Sequence, residues 1–401
     1  MRISGSIYLD HNASTPVDPA VFDAMKPHFA QTFANPHSSD HALGWAASRA
    51  VENAAGAIAS LIGCDSDEII FTSGATESNN IAVLGIAYGA EISKRRKILT
   101  TDIEHKSTLN IVRHLAARGF PTGTVAVDKG GMIDNDALEA ALADDVLIVS
   151  IGAVNSEIGT IQDIARIGDR VAARGALLHL DAAQAPSAIP LDKMTSSADL
   201  ISFSGHKMYA PQGIGAIYIR RDIQRRIAPL MFGGGQQSGL RPGTLPLALC
   251  VGMGEAARLF ADSSSQESER ARLGRLRDHL LNRLSELGVP FHLNGQPTDR
   301  RHPGNANIRL EGFMAADVLS FVQPQLAAST GSACTSGIPE PSHVLRAIGL
   351  TKAEAERSIR FCVGRYTTEA DIDAAVTILG DAASRLRAIE EDDGALDRRT
   401  A

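Results

Sequence analysis

Asp181 and Lys207 stand where a buried sheet edge would make a charge costly. Asp181 closes the apolar run of residues 176–180, and Lys207 follows Ser204-Gly205-His206 after a second apolar run, residues 200–203. At the carboxyl end of a central strand a carboxylate needs a cationic partner. A lysine there must be neutralised or used covalently. A third feature, Ser73-Gly74-Ala75-Thr76-Glu77-Ser78-Asn79, puts small residues at the entry of a helix. Free backbone N–H groups and the helix dipole favour an anion at such an entry. Singly, each feature reads as a solvated loop charge or an ordinary helix cap. Together they are the parts that hold pyridoxal 5′-phosphate: a lysine for the Schiff base, a carboxylate for the protonated pyridine nitrogen and a cup for the phosphate. His105, just after the strand-like residues 97–100, is placed to stack on the ring.

The chain has neither a Walker A motif nor a G-x-G-x-x-G fingerprint, which disfavours a Rossmann dehydrogenase. Its four cysteines, Cys64, Cys250, Cys334 and Cys362, are scattered without a C-x-x-C pair, so neither a zinc ribbon nor a disulfide framework is indicated. Cys334 lies in a run of small residues, 328–337, which suits a mobile loop carrying a reactive thiol. The other three read as small buried hydrophobes. Cys362 is the least certain of them, because alternation puts it on one strand face with Arg360. The fork of Arg360 suits a carboxylate. His37 and His41 are spaced i,i+4 but have no third ligand, so no metal site is expected.

The elements that must position these residues alternate. Strand-like runs at residues 68–71, 97–100, 124–127, 146–151, 176–180, 200–203 and 215–219 are separated by helical patterns, among them residues 105–118, 136–142 and 161–174. This rhythm indicates an α/β fold, a mostly parallel seven-stranded sheet covered by helices, with ligands at the carboxyl ends of its strands. Residues 261–270 are polar and read as a boundary, after which strand-like 307–310 and 358–363 and helix-like 315–321 form a smaller α+β unit. A final helix starts at Glu369, with Thr368 as its N-cap. The expected domains are 15–262, the large one, and 263–401 together with 1–14, the small one. Of the 401 residues, 44% are hydrophobic and 21% charged, the composition of a globular protein. A net charge of -7 and 4% aromatics argue against nucleic-acid binding. Lacking a 20-residue apolar run or a secretion signal, the chain reads as cytoplasmic and free of membrane.

Over nearly its whole length the sequence resembles the cysteine desulfurases of the NifS/IscS type, in the class-V branch of fold-type I pyridoxal-phosphate enzymes. The resemblance rests on Thr72-Ser73-Gly74-Ala75-Thr76-Glu77-Ser78-Asn79, Glu104-His105-Lys106, Asn155-Ser156-Glu157-Ile158-Gly159, Asp181-Ala182-Ala183-Gln184, Ser204-Gly205-His206-Lys207, Arg241-Pro242-Gly243-Thr244 and Thr330-Gly331-Ser332-Ala333-Cys334-Thr335-Ser336. It implies that Lys207 carries the cofactor, Asp181 meets the pyridine nitrogen, Gln184 meets the ring hydroxyl, and His105 stacks and shuttles protons. It implies a phosphate site of Ala75, Thr76, Ser204 and His206, completed by Thr244 from the second subunit of a homodimer. Asn155, at the cofactor, joins Arg360 in holding the substrate carboxylate. Cys334 would take sulfur from L-cysteine as a persulfide, leaving L-alanine, and pass it to an acceptor protein serving iron–sulfur clusters, tRNA thiolation or DNA phosphorothioation. Rival readings are a selenocysteine lyase or another class-V lyase, and a non-catalytic sulfur-relay subunit. The relay would not need Lys207, Asp181 and His105.

Overall fold

In this computed structural model residues 1–90, 94–330 and 341–400 are described, with side chains to residue 389. Seven strands form the main sheet: β1 (Ile69–Thr72), β2 (Lys97–Thr100), β3 (Thr122–Thr124), β4 (Val146–Gly152), β5 (Leu177–Asp181), β6 (Leu200–Ser204) and β7 (Gly215–Ile219). Their order is β1-β7-β6-β5-β4-β2-β3. All neighbours are parallel except β7, which runs antiparallel to both β1 and β6. The strands read as almost unbroken apolar runs because helices cover both faces. On one face Ile62, Leu180 and Phe203 share a core with Met253. On the other, Ile81 and Ile86 pack with Ile148 and Ile217.

The helices that matter for the site are α1 (Ala42–Ile62), α2 (Ala75–Gly89), α3 (Lys106–Ala117), α4 (Ile164–Ala173) and α5 (Leu247–Ala261). A positive hand is taken at Gly63, φ 78°, where α1 ends in the left-handed cap that glycine accepts most readily. The expected strand at 124–127 lies two residues earlier. Its pairing is set by β2, with Ile98 opposite Thr122, and Val127 instead bridges Ile133 across a turn. An edge strand has one neighbour to fix its register, and the apolar run 125–127 leaves the ladder after a single bond from Val125 N–H to the Thr100 carbonyl, 2.8 Å.

Asp262 caps α6 (Ser263–Glu286), accepting from the N–H groups of Ser264 and Ser265. Beyond it, β8 (Phe291–Leu293), β9 (Asn305–Leu310) and β10 (Ser358–Cys362) make an antiparallel sheet in that order. The last helix, α7 (Glu369–Thr400), starts at the expected residue. Thr368 Oγ1 accepts from Asp371 N–H at 3.2 Å. Leu276 and Leu280 of α6, Ile308, Ile359, Phe361, Ile372 and Val376 form a separate apolar core, which Ile7 and Leu9 join. The N-terminal segment is held there by main-chain bonds. Leu9 N–H donates to the Ala327 carbonyl, 2.9 Å, and Cys362 N–H to the Leu9 carbonyl, 2.7 Å. Among the described residues no helix is long and apolar enough to cross a membrane.

Candidate active site

A cavity of about 590 Å³ opens at the carboxyl ends of the parallel strands. The polar residues that follow β1, β2, β4, β5 and β6 all reach it. So do Asn12 and Ala13 from the N-terminal segment and Arg360 from β10.

At the α2 entry the start of β7 packs tightly against the Gly74 turn that follows β1. A Cβ on Gly215 would lie 2.5 Å from Gly74 Cα and 2.7 Å from the Phe203 carbonyl oxygen, so only glycine fits. Ala75 and Thr76 begin α2 and line the cavity, where first-turn N–H groups have no intrahelical partner. Glu77 turns away. It accepts from Ser73 N–H at 2.6 Å and from Arg241 Nε at 2.8 Å. Burial alone would push the Glu77 carboxyl up, but those bonds hold it below its ordinary value. Ser204 and His206 close the cup from β6. His206 is pushed down to about 4, chiefly by burial and then by Lys207, so it is neutral near pH 7.

Asp181, the last residue of β5, accepts from Asn79 Nδ2 at 2.7 Å and from Ala183 N–H at 3.0 Å. It has no ion pair with a basic side chain among the described residues. Asn79, fully buried on α2, is a functional residue that sequence reasoning had not singled out. Its signal was an amide inside an otherwise apolar helix face. Gln184 lines the cavity and donates Nε2 to the Asn12 carbonyl at 2.9 Å. His105 caps α3, with Nδ1 accepting from Ser107 N–H at 3.1 Å, and reaches the cavity wall.

Lys207 ends the turn after β6. Its amine is lowered from 10.5 to about 8, first by burial and then by Arg360. Arg360 is only 5% exposed. Alternation along β10 sends Ile359 and Phe361 into the small core and Arg360 toward the cavity. There Nη2 donates to Asp10 Oδ1 at 2.6 Å and to Ser329 Oγ at 2.9 Å, and Nη1 to the Ser156 carbonyl at 3.0 Å. Asp10 was another omission, since nothing local in the sequence ties it to Arg360. Asn155 lines the cavity but spends much of its amide on the chain. Nδ2 donates to the Ile103 carbonyl at 2.8 Å, while Oδ1 accepts from Glu157 and Ile158 N–H. Glu104, buried beside His105, is pushed up to about 7 by burial.

Thr244 is exposed and does not line this cavity. Its neighbour Arg241 ties the segment to Glu77 at the cup. Cys334 lies outside the described residues. His41 serves as the cap of α1, accepting from Gly44 N–H at 3.0 Å.

The residues present fit pyridoxal phosphate. A half-buried carboxylate without a basic partner faces the place for a protonated ring nitrogen. The α2 entry offers free N–H groups to a phosphate, and Lys207, without a carboxylate ion pair among the described residues, reaches the same cavity. The fold and site define a class-V aminotransferase, and the model for that family, described as aminotransferase class-V, matches residues 7–375. The chain belongs to this pyridoxal-phosphate-dependent family, and within it to the cysteine desulfurases. It is 44% identical over 383 residues to cysteine desulfurase IscS of Rickettsia prowazekii (strain Madrid E), covering 95% of this chain and 92% of that one. Among solved structures it resembles a NifS-like protein, with TM-score 0.87, 31% identity, 94% of this chain and 99% of the other. It also resembles SspA in complex with cysteine, with TM-score 0.78, 35% identity, 90% of this chain and 100% of the other.

Proposed function

We propose that the chain takes sulfur from L-cysteine, releasing L-alanine and passing the sulfur through Cys334 to an acceptor protein. The observation that carries this reading is the convergence of Lys207, Asp181, the α2 entry and Arg360 on one cavity. Bound pyridoxal phosphate supplies an electron sink that acidifies the substrate Cα–H. Lys207 holds the cofactor and, once free, takes the Cα proton. Asp181, aimed by Asn79, keeps the ring nitrogen protonated, and Gln184 meets the ring hydroxyl. Ala75, Thr76, Ser204 and His206 would hold the phosphate, and His105 would stack on the ring. Arg360 and Asn155 orient the substrate carboxylate. The Cys334 thiolate attacks the substrate sulfur, and the C–S bond breaks with its electron pair left on carbon. One proton then goes to Cβ and Lys207 returns the other to Cα, which completes alanine. Cys334 keeps the sulfur as a persulfide.

We place the phosphate site between two copies of the chain, with Thr244 contributed by the second copy. Exposed apolar side chains support such an assembly: Phe33, Trp45 and Phe232 are 70%, 53% and 91% exposed. Residues 15–262 act as the large domain, and 263–401 with 1–14 as the small one. Cys64, Cys250 and Cys362 are free thiols, which suits a reducing cytoplasm.

The test is alanine and sulfide production from L-cysteine by the pyridoxal-phosphate-loaded protein, with and without reductant, beside Cys334→Ser. Alanine made only with Cys334 intact is the expected result. A loaded wild-type protein that makes no alanine refutes the enzyme reading and favours a relay subunit. A fully active Cys334→Ser refutes the persulfide role.

A further inference from the structure

The Lys207 amine rests on two main-chain carbonyls of the N-terminal segment. It donates to the Asn12 carbonyl and, at 2.7 Å, to that of Ala13. The Asn12 carbonyl also accepts Gln184 Nε2, so one oxygen serves two residues of the cofactor site. What aims this carbonyl is the Asn12 side chain, which is 2% exposed. Its Nδ2 donates to the Ser156 carbonyl at 2.9 Å, and its Oδ1 accepts the Cys362 thiol at 2.6 Å. Cys362 is 1% exposed and does not line the cavity. Burial pushes its thiol up to about 12, so it remains a proton donor at neutral pH.

We infer that the Asn12–Ala13 carbonyl pair is the seat of the Lys207 amine whenever that amine is not bonded to the cofactor, and that the Asn12 amide, clasped by Cys362 and Ser156, is the positioning residue that aims it. This rests on Lys207 being the attachment residue and deepens that reading. Carbonyl oxygens accept from a neutral amine, but they stabilise an ammonium more strongly. When the Lys207 lone pair takes the Cα proton, the amine becomes a cation in a place that disfavours charge. Burial and Arg360 of β10 oppose that charge. Asp10 and Asp181 favour it, and His206 beside it is neutral. Two N–H bonds of the ammonium then remain on the carbonyls, and the third carries the proton that can be returned.

The experiment uses cofactor-free protein and pyridoxal phosphate as the probe. Uptake at graded pH is stopped with borohydride, and the labelled residue is located by peptide mass mapping. The readout is the pH midpoint of the initial uptake rate, which follows the neutral fraction of the amine and needs no turnover. The wild-type midpoint is expected near 8. Asn12→Ala and Cys362→Ala each remove part of the clasp and should lower it by about half a unit to one unit, because the charged form loses acceptors. Cys362→Ser keeps a donor and should keep the wild-type midpoint. Label on Lys207 with an unmoved midpoint in both alanine variants would overturn the inference. Label on a different residue would overturn the attachment reading beneath it.

Discussion

Replacing Asp10 with asparagine removes the carboxylate that is ion-paired with Arg360. The pair is 2.6 Å apart, with side chains 6% and 17% exposed for Arg360 and Asp10. Removing one partner of a buried pair typically costs ~3–5 kcal/mol, because the other charge is left uncompensated. Asparagine retains an acceptor oxygen, and the Ser156 carbonyl and Ser329 Oγ still receive the guanidinium. These place Asp10→Asn near the lower end, ~3 kcal/mol. That corresponds to a melting temperature lower by several degrees. The Nε of Arg360 is already buried without a partner, so the guanidinium has no spare acceptor to turn to. Adding Arg360→Met removes the stranded cation and should restore about half of the loss or more. The assay is thermal unfolding of the cofactor-free wild type, both single variants and the double at neutral pH. A single Asp10→Asn melting within about 1 °C of wild type would refute the reasoning, since that lies inside the usual surface-substitution range. So would a double variant whose loss equals the sum of the two singles.

Two further outcomes follow from the geometry. Gly215→Ala should push β7 away from the Gly74 turn at the α2 entry, because the new methyl meets the Gly74 backbone at 2.5 Å. We expect ~1–3 kcal/mol of destabilisation, read by urea unfolding, and weaker retention of pyridoxal phosphate on dialysis. Glu157 is pushed up from 4.5 to about 7 by burial, and its Oε1 is buried without a partner. Here the folded state binds a proton that the unfolded state releases above pH 4.5. This group therefore lowers stability progressively as pH rises from about 4.5 through 7. Glu157→Gln should remove that slope, so the variant gains on wild type across this window. A parallel pair of melting-temperature profiles between pH 5 and 8 would contradict it.

The parts of the site that the sequence discloses are those whose chemistry is local. Asp181 and Lys207 each follow an apolar strand directly, and a charge at that place demands a reason whatever the rest of the fold does. Arg360 was legible for the same kind of cause: alternation between Ile359 and Phe361 leaves it one face, and the structure puts that face on the cavity. The residues that aim these groups were not legible. Asp10 and Asn12 reach the site only because Leu9 is hydrogen-bonded to Ala327 on one side and to Cys362 on the other. Those pairings join stretches of chain that have no sequence proximity. Edge-strand register was lost on similar grounds, since β3 takes its pairing from β2 rather than from its own apolar run. Asn79 falls between the two cases. Its amide lies on the buried side of α2, near Ile81 and Ala82, where an unexplained polar group is expensive. A fully buried amide there needs partners outside its own helix, and Ser107 Oγ supplies one at 3.0 Å. The carboxylate at the end of β5 is the other, so the cost of burying Asn79 is tied to the orientation of Asp181.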